Sequence, residues 1–129
     1  MTQDKQLPRP TDAELSILTV LWERGPSTVR EVHDELIKIQ PAGYTTVLKM
    51  LQIMIEKGLV IRDESERAHV YTTRLTEQKT QRQLVTDLLD RAFGGSSAKL
   101  VMQALSTKRA TAEELSEIRA MLQKIGGAE

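Results

Sequence analysis

Apolar positions along this chain fall into helical spacing, then alternation, then helical spacing again. Leu15, Leu18, Leu21 and Trp22 recur at helical intervals behind a capping box, Thr11 followed by Glu14. Ile17 and Val20 widen that face, which predicts a first helix at the centre of the core. Gly25-Pro26 stops it, because glycine takes a left-handed C-terminal position and proline does not continue a helix. A second capping box, Thr28 with Glu31, opens a helix whose stripe is Val29, Val32 and Leu36, reaching toward Ile39. Arg30, His33, Asp34 and Lys38 lie off that stripe, and Pro41-Ala42-Gly43 closes the element.

A third helix is expected from Tyr44 to Lys57, closed by Gly58, with Val47, Leu48, Leu51, Met54 and Ile55 as its core face. Thr45, Lys49, Gln52 and Glu56 share another face, with Thr46 beside them; Met50 and Ile53 fall between the two faces. The period then changes. Leu59-Val60-Ile61-Arg62 reads as a strand, Asp63 to Arg67 as a polar turn, and Ala68-His69-Val70-Tyr71-Thr72 as the return strand. In that return strand Ala68, Val70 and Thr72 share one face, and His69 and Tyr71 the other. Two strands alone are marginal, so they must pack on the helices before them.

Helical spacing resumes at about Glu77, with Leu84, Val85, Leu88, Leu89 and Ala92 leading to Phe93. Gly94-Gly95 breaks it, Ser96 or Ser97 caps a helix carrying Leu100, Val101, Ala104 and Leu105, and Thr111 with Glu114 opens another. There Leu115, Ile118, Leu122 and Ile125 form a coiled-coil-like seam. The fold class expected is mainly alpha with a small two-stranded wing: a winged helix-turn-helix plus a C-terminal helical dimerisation domain. Its parts are a flexible arm over 1–10, a DNA-binding head over 11–75, dimerisation helices over 76–125 and a flexible tail over 126–129. The C-terminal stripes have no large second core to enter, which points to a homodimer.

Composition narrows the function. The chain has 129 residues and no cysteine, so disulfides, thiolate chemistry and Cys-based zinc sites are excluded. The absence of cysteine fits a cytoplasmic location. The start does not read as a signal peptide, and no stretch approaches the ~20 apolar residues of a membrane span, so no membrane insertion is expected. His33 and His69, on different elements, are too few for a metal hydrolase, and no phosphate loop or nucleophile elbow occurs. Neither an enzyme nor a cofactor is expected. The formal net charge is zero, and Arg30 to Arg74 carries as many acids as bases. DNA affinity must therefore come from where charges sit, and a protein-binding winged-helix adaptor without a DNA role is the alternative.

The major groove admits one helix, and residues 44–57 are the candidate. Thr45, Thr46, Lys49 and Gln52 are the base-reading candidates; a threonine offers a hydroxyl and a methyl, and glutamine pairs with adenine. Arg30 and His33, on the solvated side of the second helix, are phosphate candidates, with an ion pair to the local acids Asp34 or Glu35 as the other reading of both. Tyr44 either bonds a phosphate or packs. Arg67 and His69 belong to the wing, where Arg67 either enters the adjacent minor groove or clamps a phosphate. Arg62 and Arg74 flank the hairpin as weaker phosphate candidates, while Glu64 and Glu66 oppose DNA unless paired or turned away.

Thr11-x-x-Glu14-Leu15-x-Ile17-Leu18-x-Val20-Leu21-Trp22, Gly25-Pro26-x-Thr28-Val29-Arg30-Glu31-Val32, Tyr44-Thr45-Thr46-Val47-Leu48 and the Arg67-Ala68-His69-Val70-Tyr71 wing resemble the penicillinase and methicillin-resistance repressor family, the BlaI/MecI type. The resemblance covers most of the chain. It implies a winged-helix homodimer that binds a palindromic operator in double-stranded DNA and blocks transcription. It places Thr45 and Thr46 against bases, Arg67 and His69 in the wing, and Leu84, Leu88, Leu100, Val101, Leu115, Ile118 and Leu122 in the dimerisation region. In well-studied members a membrane sensor detects beta-lactam and the repressor is cut near an Asn-Phe bond; this chain has Gln103-Ala104 there, a departure that leaves its sensor and protease pathway open. The copper-responsive branch ends in paired Cys-x-Cys motifs, which this chain lacks.

Overall fold

Among the described residues, the fully buried apolar side chains all lie between Ile17 and Tyr71. The computed structural model describes residues 8–127, so most of the arm expected over 1–10 and the end of the tail expected over 126–129 lie outside the described residues. The elements are α1 (Asp12–Arg24), α2 (Val29–Leu36), α3 (Tyr44–Lys57), β1 (Val60–Asp63), β2 (Val70–Thr73), α4 (Glu77–Ala92), α5 (Ser97–Thr107) and α6 (Ala112–Gly126). Three helices followed by an antiparallel hairpin form the expected winged helix-turn-helix.

The helix starts follow the local chemistry. Thr11 and Thr28 each accept the backbone N–H three residues on, and Glu14 and Glu31 reach back to the threonine N–H groups. From α1, Ile17, Leu18, Val20 and Leu21 enter the core; α2 contributes Val29, Val32 and Leu36; α3 contributes Val47, Leu51 and Met54. The second helix stops at Leu36, so Ile39 sits in the following turn and is 72% exposed rather than extending the stripe.

Gly58 ends α3 in the left-handed conformation at φ +81°, and its N–H and that of Leu59 donate to the carbonyls of Ile55 and Met54. Leu59 is thereby spent on closing the helix, and β1 begins one residue later than the alternation suggested. The hairpin pairs Val60 with Thr73 and Asp63 with Val70. Asp63 Oδ1 accepts the Ser65 N–H at 2.9 Å, turning the chain out of β1. The return strand starts at Val70, not Ala68, leaving Ala68 and His69 in the turn. Within it Tyr71 faces the core at 1% exposed, while Thr72 is exposed. Ser27 fixes that choice: it exchanges two backbone hydrogen bonds with Tyr71, at 3.1 and 2.7 Å, and so adds a third backbone segment beside the hairpin.

The described chain divides into two compact units between Val85 and Thr86, within α4. The start of α4 belongs with the head. Trp22 Nε1 donates to the Leu75 carbonyl at 3.1 Å, Gln83 Nε2 donates to the Pro8 carbonyl at 2.9 Å, and Thr80 is buried. In the second unit Ser96 caps α5 and the Thr111–Glu114 box caps α6. α6 runs through Gly126, so the first residue of the expected tail is helical. No described residue from 86 to 127 is fully buried.

Candidate nucleic-acid interface

The first turn of α3 differs from that of its neighbours. Thr11, Thr28 and Thr111 cap α1, α2 and α6 with their hydroxyls, and Thr76 and Ser96 accept the Lys79 and Lys99 N–H groups. At α3 the cap is Gly43, which has no side chain to offer. The leading N–H groups of α3 are left for an external acceptor, at the end of the helix whose dipole favours an anion. Tyr44, Thr45 and Thr46 are exposed around this end, and Lys49 and Gln52 are exposed one and two turns further on. The opposite face is sealed: Val47, Leu51 and Met54 are 0% exposed. Leu48, Met50 and Ile55 pack on the core only partly, while Ile53 is exposed.

The approach to α3 is built from α2. His33 Nε2 lies 2.9 Å from the Ala42 carbonyl, and its ring meets Tyr44 edge-on, with centroids 5.8 Å apart. His33 is therefore half-buried and engaged within the fold, not free on the solvated side. The Arg30 guanidinium lies over the Tyr44 ring, 5.4 Å from its centroid. The two acids expected to compete for Arg30 are otherwise placed: Glu35 pairs with Lys38 at 3.1 Å, and Asp34 faces His33 Nδ1 at 3.6 Å.

The wing sorts its arginines. The Tyr71 side chain, and Glu64 paired with Arg62 at 2.6 Å, hold the Arg62 pKa above its ordinary value. That arginine braces the base of the wing. Arg67 and His69 are exposed in the turn, with Glu66 also exposed beside them. Arg74 is exposed after β2, with Nη1 against the backbone at Gly58.

These pairings explain how a chain with zero formal net charge keeps cations for a polyanion. Glu14, Glu31, Glu35 and Glu64 are matched with Lys57, Arg24, Lys38 and Arg62. Arg30, Lys49, Arg67 and Arg74 have no carboxylate partner among the described residues. Asp34, Glu56, Asp63 and Glu66 remain exposed, so the surface is mixed rather than uniformly basic.

A family model described as Penicillinase repressor matches residues 10–124. The chain belongs to the penicillinase repressor family. It is 28% identical to the penicillinase repressor of Bacillus licheniformis over 93% of this chain and 94% of that protein. It is 31% identical to the transcriptional regulator BlaI of Mycobacterium tuberculosis, over 93% of this chain and 87% of that one. Among solved structures, the Bacillus licheniformis BlaI monomeric form in complex with the blaP half-operator aligns with a TM-score of 0.50 at 32% identity, covering 57% of this chain and 89% of that one. Membership in the penicillinase repressor family makes the chain a DNA-binding transcriptional repressor, not an enzyme. Among the described residues no three His, Asp or Glu side chains are grouped as metal ligands, and no helix is long and apolar enough to cross a membrane.

Sequence reasoning missed three contacts that hold this interface in place. Lys57, at the end of α3, pairs with Glu14 at 2.7 Å, joining it to the start of α1. The other two are the Trp22–Leu75 and Ser27–Tyr71 hydrogen bonds. Glu14 carried a signal only for its capping role; a partner 43 residues away leaves no local pattern.

Proposed function

We propose that this chain acts in the cytoplasm as a homodimer that blocks transcription by seating its two winged-helix heads on the half-sites of a palindromic operator. In each head α3 enters the major groove. Thr45, Thr46, Lys49 and Gln52 face base edges, Arg30 and Tyr44 hold a flanking phosphate, and Arg67 and His69 follow the backbone from the wing. Arg62 and His33 serve this surface from inside the fold, and Arg74 covers the start of the wing. The single observation that carries the reading is the two-sided character of α3, with Val47, Leu51 and Met54 sealed and its uncapped, threonine-bearing end exposed. The half-operator complex of the Bacillus licheniformis relative supports the same use of the head.

Dimerisation is supported by what α4, α5 and α6 leave uncovered. Leu84, Leu100, Leu115 and Ile118 are only half-buried, and Leu88, Val101 and Leu122 are exposed, as are Met102, Met121 and Ile125. Covering a large apolar side chain fully contributes roughly 1.5–3 kcal/mol, so a second copy burying several of these would stabilise the pair substantially. Gln103 and Ala104 are exposed within α5.

Selection of bound fragments from genomic DNA, followed by a salt series on the recovered duplex, tests the proposal. The expected result is a two-fold symmetric site with half-site centres a helical turn or a multiple apart, and affinity that falls steeply with salt. Enrichment of no symmetric sequence, or affinity indifferent to salt, would overturn it and favour the protein-binding adaptor.

A further inference from the structure

His33 has a role beyond those assigned to the DNA-facing residues. A carbonyl oxygen only accepts hydrogen bonds, so the 2.9 Å contact to Ala42 requires the proton on Nε2 of His33. Nδ1 lies 3.6 Å from the Asp34 carboxylate, beyond hydrogen-bond distance, so Nε2 makes the ring's hydrogen bond within this cluster. The Ala42 carbonyl belongs to the short connection Pro41-Ala42-Gly43, whose last residue is the side-chain-free cap of α3. The same ring makes a T-shaped contact with Tyr44, the first residue of α3, at an interplanar angle of 71°. Arg30, one turn before His33 on α2, lies over that tyrosine ring. One imidazole therefore contacts both the peptide that launches α3 and the aromatic ring on which Arg30 rests.

We propose that His33 is a positioning residue for operator binding: it acts through Ala42 and Tyr44 to hold the first turn of α3 and the Arg30 guanidinium in their DNA-facing places, and does not itself bind phosphate. This rests on the reading of α3 as the groove-entering helix. The geometry favours it over a phosphate contact because a side chain donating Nε2–H to a backbone carbonyl has no second donor at that nitrogen for DNA. Arg30 is the complementary case. Its charge has no carboxylate partner among the described residues, and the tyrosine face restricts where it can swing.

The test compares His33→Gln, His33→Asn and Arg30→Ala with the unaltered full chain on the operator duplex recovered by selection, across a salt series, with the melting temperature of each protein. The Gln amide nitrogen occupies about the place of Nε2, whereas the Asn nitrogen occupies that of Nδ1. His33→Asn is expected to weaken operator binding about three- to tenfold, the worth of one hydrogen bond, with the slope of log affinity against log salt unchanged. His33→Gln is expected to restore most of that loss. Arg30→Ala is expected to reduce the slope by about one phosphate. In the free proteins the Thr45 and Thr46 amide resonances should move in His33→Asn and return in His33→Gln. A reduced slope in His33→Asn would make His33 a phosphate ligand, and equal affinities of His33→Asn, His33→Gln and the unaltered chain would remove its role; either overturns the proposal. Salt-insensitive binding by the unaltered chain would instead bring down the underlying reading of α3, and this proposal with it.

Discussion

Thr45 and Thr46 are poor helix-interior residues placed where a helix tolerates them best, in the first turn. Both are exposed, so their hydroxyls and methyls cost the fold little and remain open to a partner. Thr45→Ala and Thr46→Ala should each weaken operator binding by roughly 1 kcal/mol or more while changing affinity for unrelated duplex far less. Competition titrations with specific and scrambled DNA check this, and an equal loss on both would reassign the threonines to the phosphate backbone. Glu14 shows a different residue-scale effect. Burial pushes its carboxyl pKa up, but the Lys57 ammonium and the Thr11 N–H outweigh that and hold it below the usual carboxylate value. A group with a lowered folded-state pKa stabilises above its unfolded value and loses that contribution as pH falls through the folded one. The melting temperature should therefore drop on acidification below about pH 4.5. Glu14→Gln should melt lower at neutral pH and show a flatter acid limb in thermal scans.

At the scale of the element, α3 trades capping for access. Gly43 has φ −83°, which any residue adopts, and a Cβ there would meet only Thr46 Oγ1 at 3.8 Å. Gly43→Asp should accordingly be tolerated and raise stability by a few tenths of a kcal/mol, since aspartate caps better than glycine and suits the positive helix end. The same carboxylate would occupy the leading N–H groups and repel phosphate, so operator affinity should fall while the melting temperature rises. A loss of both would mean that the turn does not accept the side chain. At its other end α3 needs glycine. Gly58 is at φ +81°, and an added Cβ would stand 2.9 Å from Arg74 Nη1. Gly58→Ala should cost about 1 kcal/mol or more, read as a lower denaturation midpoint with the denaturant slope unchanged.

For the whole molecule, the two units call for different experiments. The head owns the buried core, whereas the second unit carries exposed Leu122 and Ile125 and half-buried Leu115 and Ile118. Ile118→Glu with Leu122→Glu should shift the protein toward monomer in sedimentation and reduce affinity for a two-half-site operator at least tenfold, because the heads are no longer linked. Binding to a single half-site should change little. A dimer that survives both charges would move the interface to another surface.

Helix order, the capping boxes at Thr11, Thr28 and Thr111 and the two faces of α3 were legible in the sequence, because each depends on residues three to eleven positions apart. The wing was legible as a hairpin but not in its register: alternation leaves the inward face undetermined, and only the Ser27–Tyr71 backbone bridge decides that Tyr71 enters the core. The fate of the charges was hidden for the same reason. The spacing of Arg62, His33 and Arg30 marked them all as solvated cations or near-cations, yet Tyr71, Ala42 and Tyr44 take them in three different ways. Local periodicity by itself determined which elements form and which face of each is apolar. Which polar groups remain free for DNA depended on partners brought together from distant elements, and that only the tertiary structure decided.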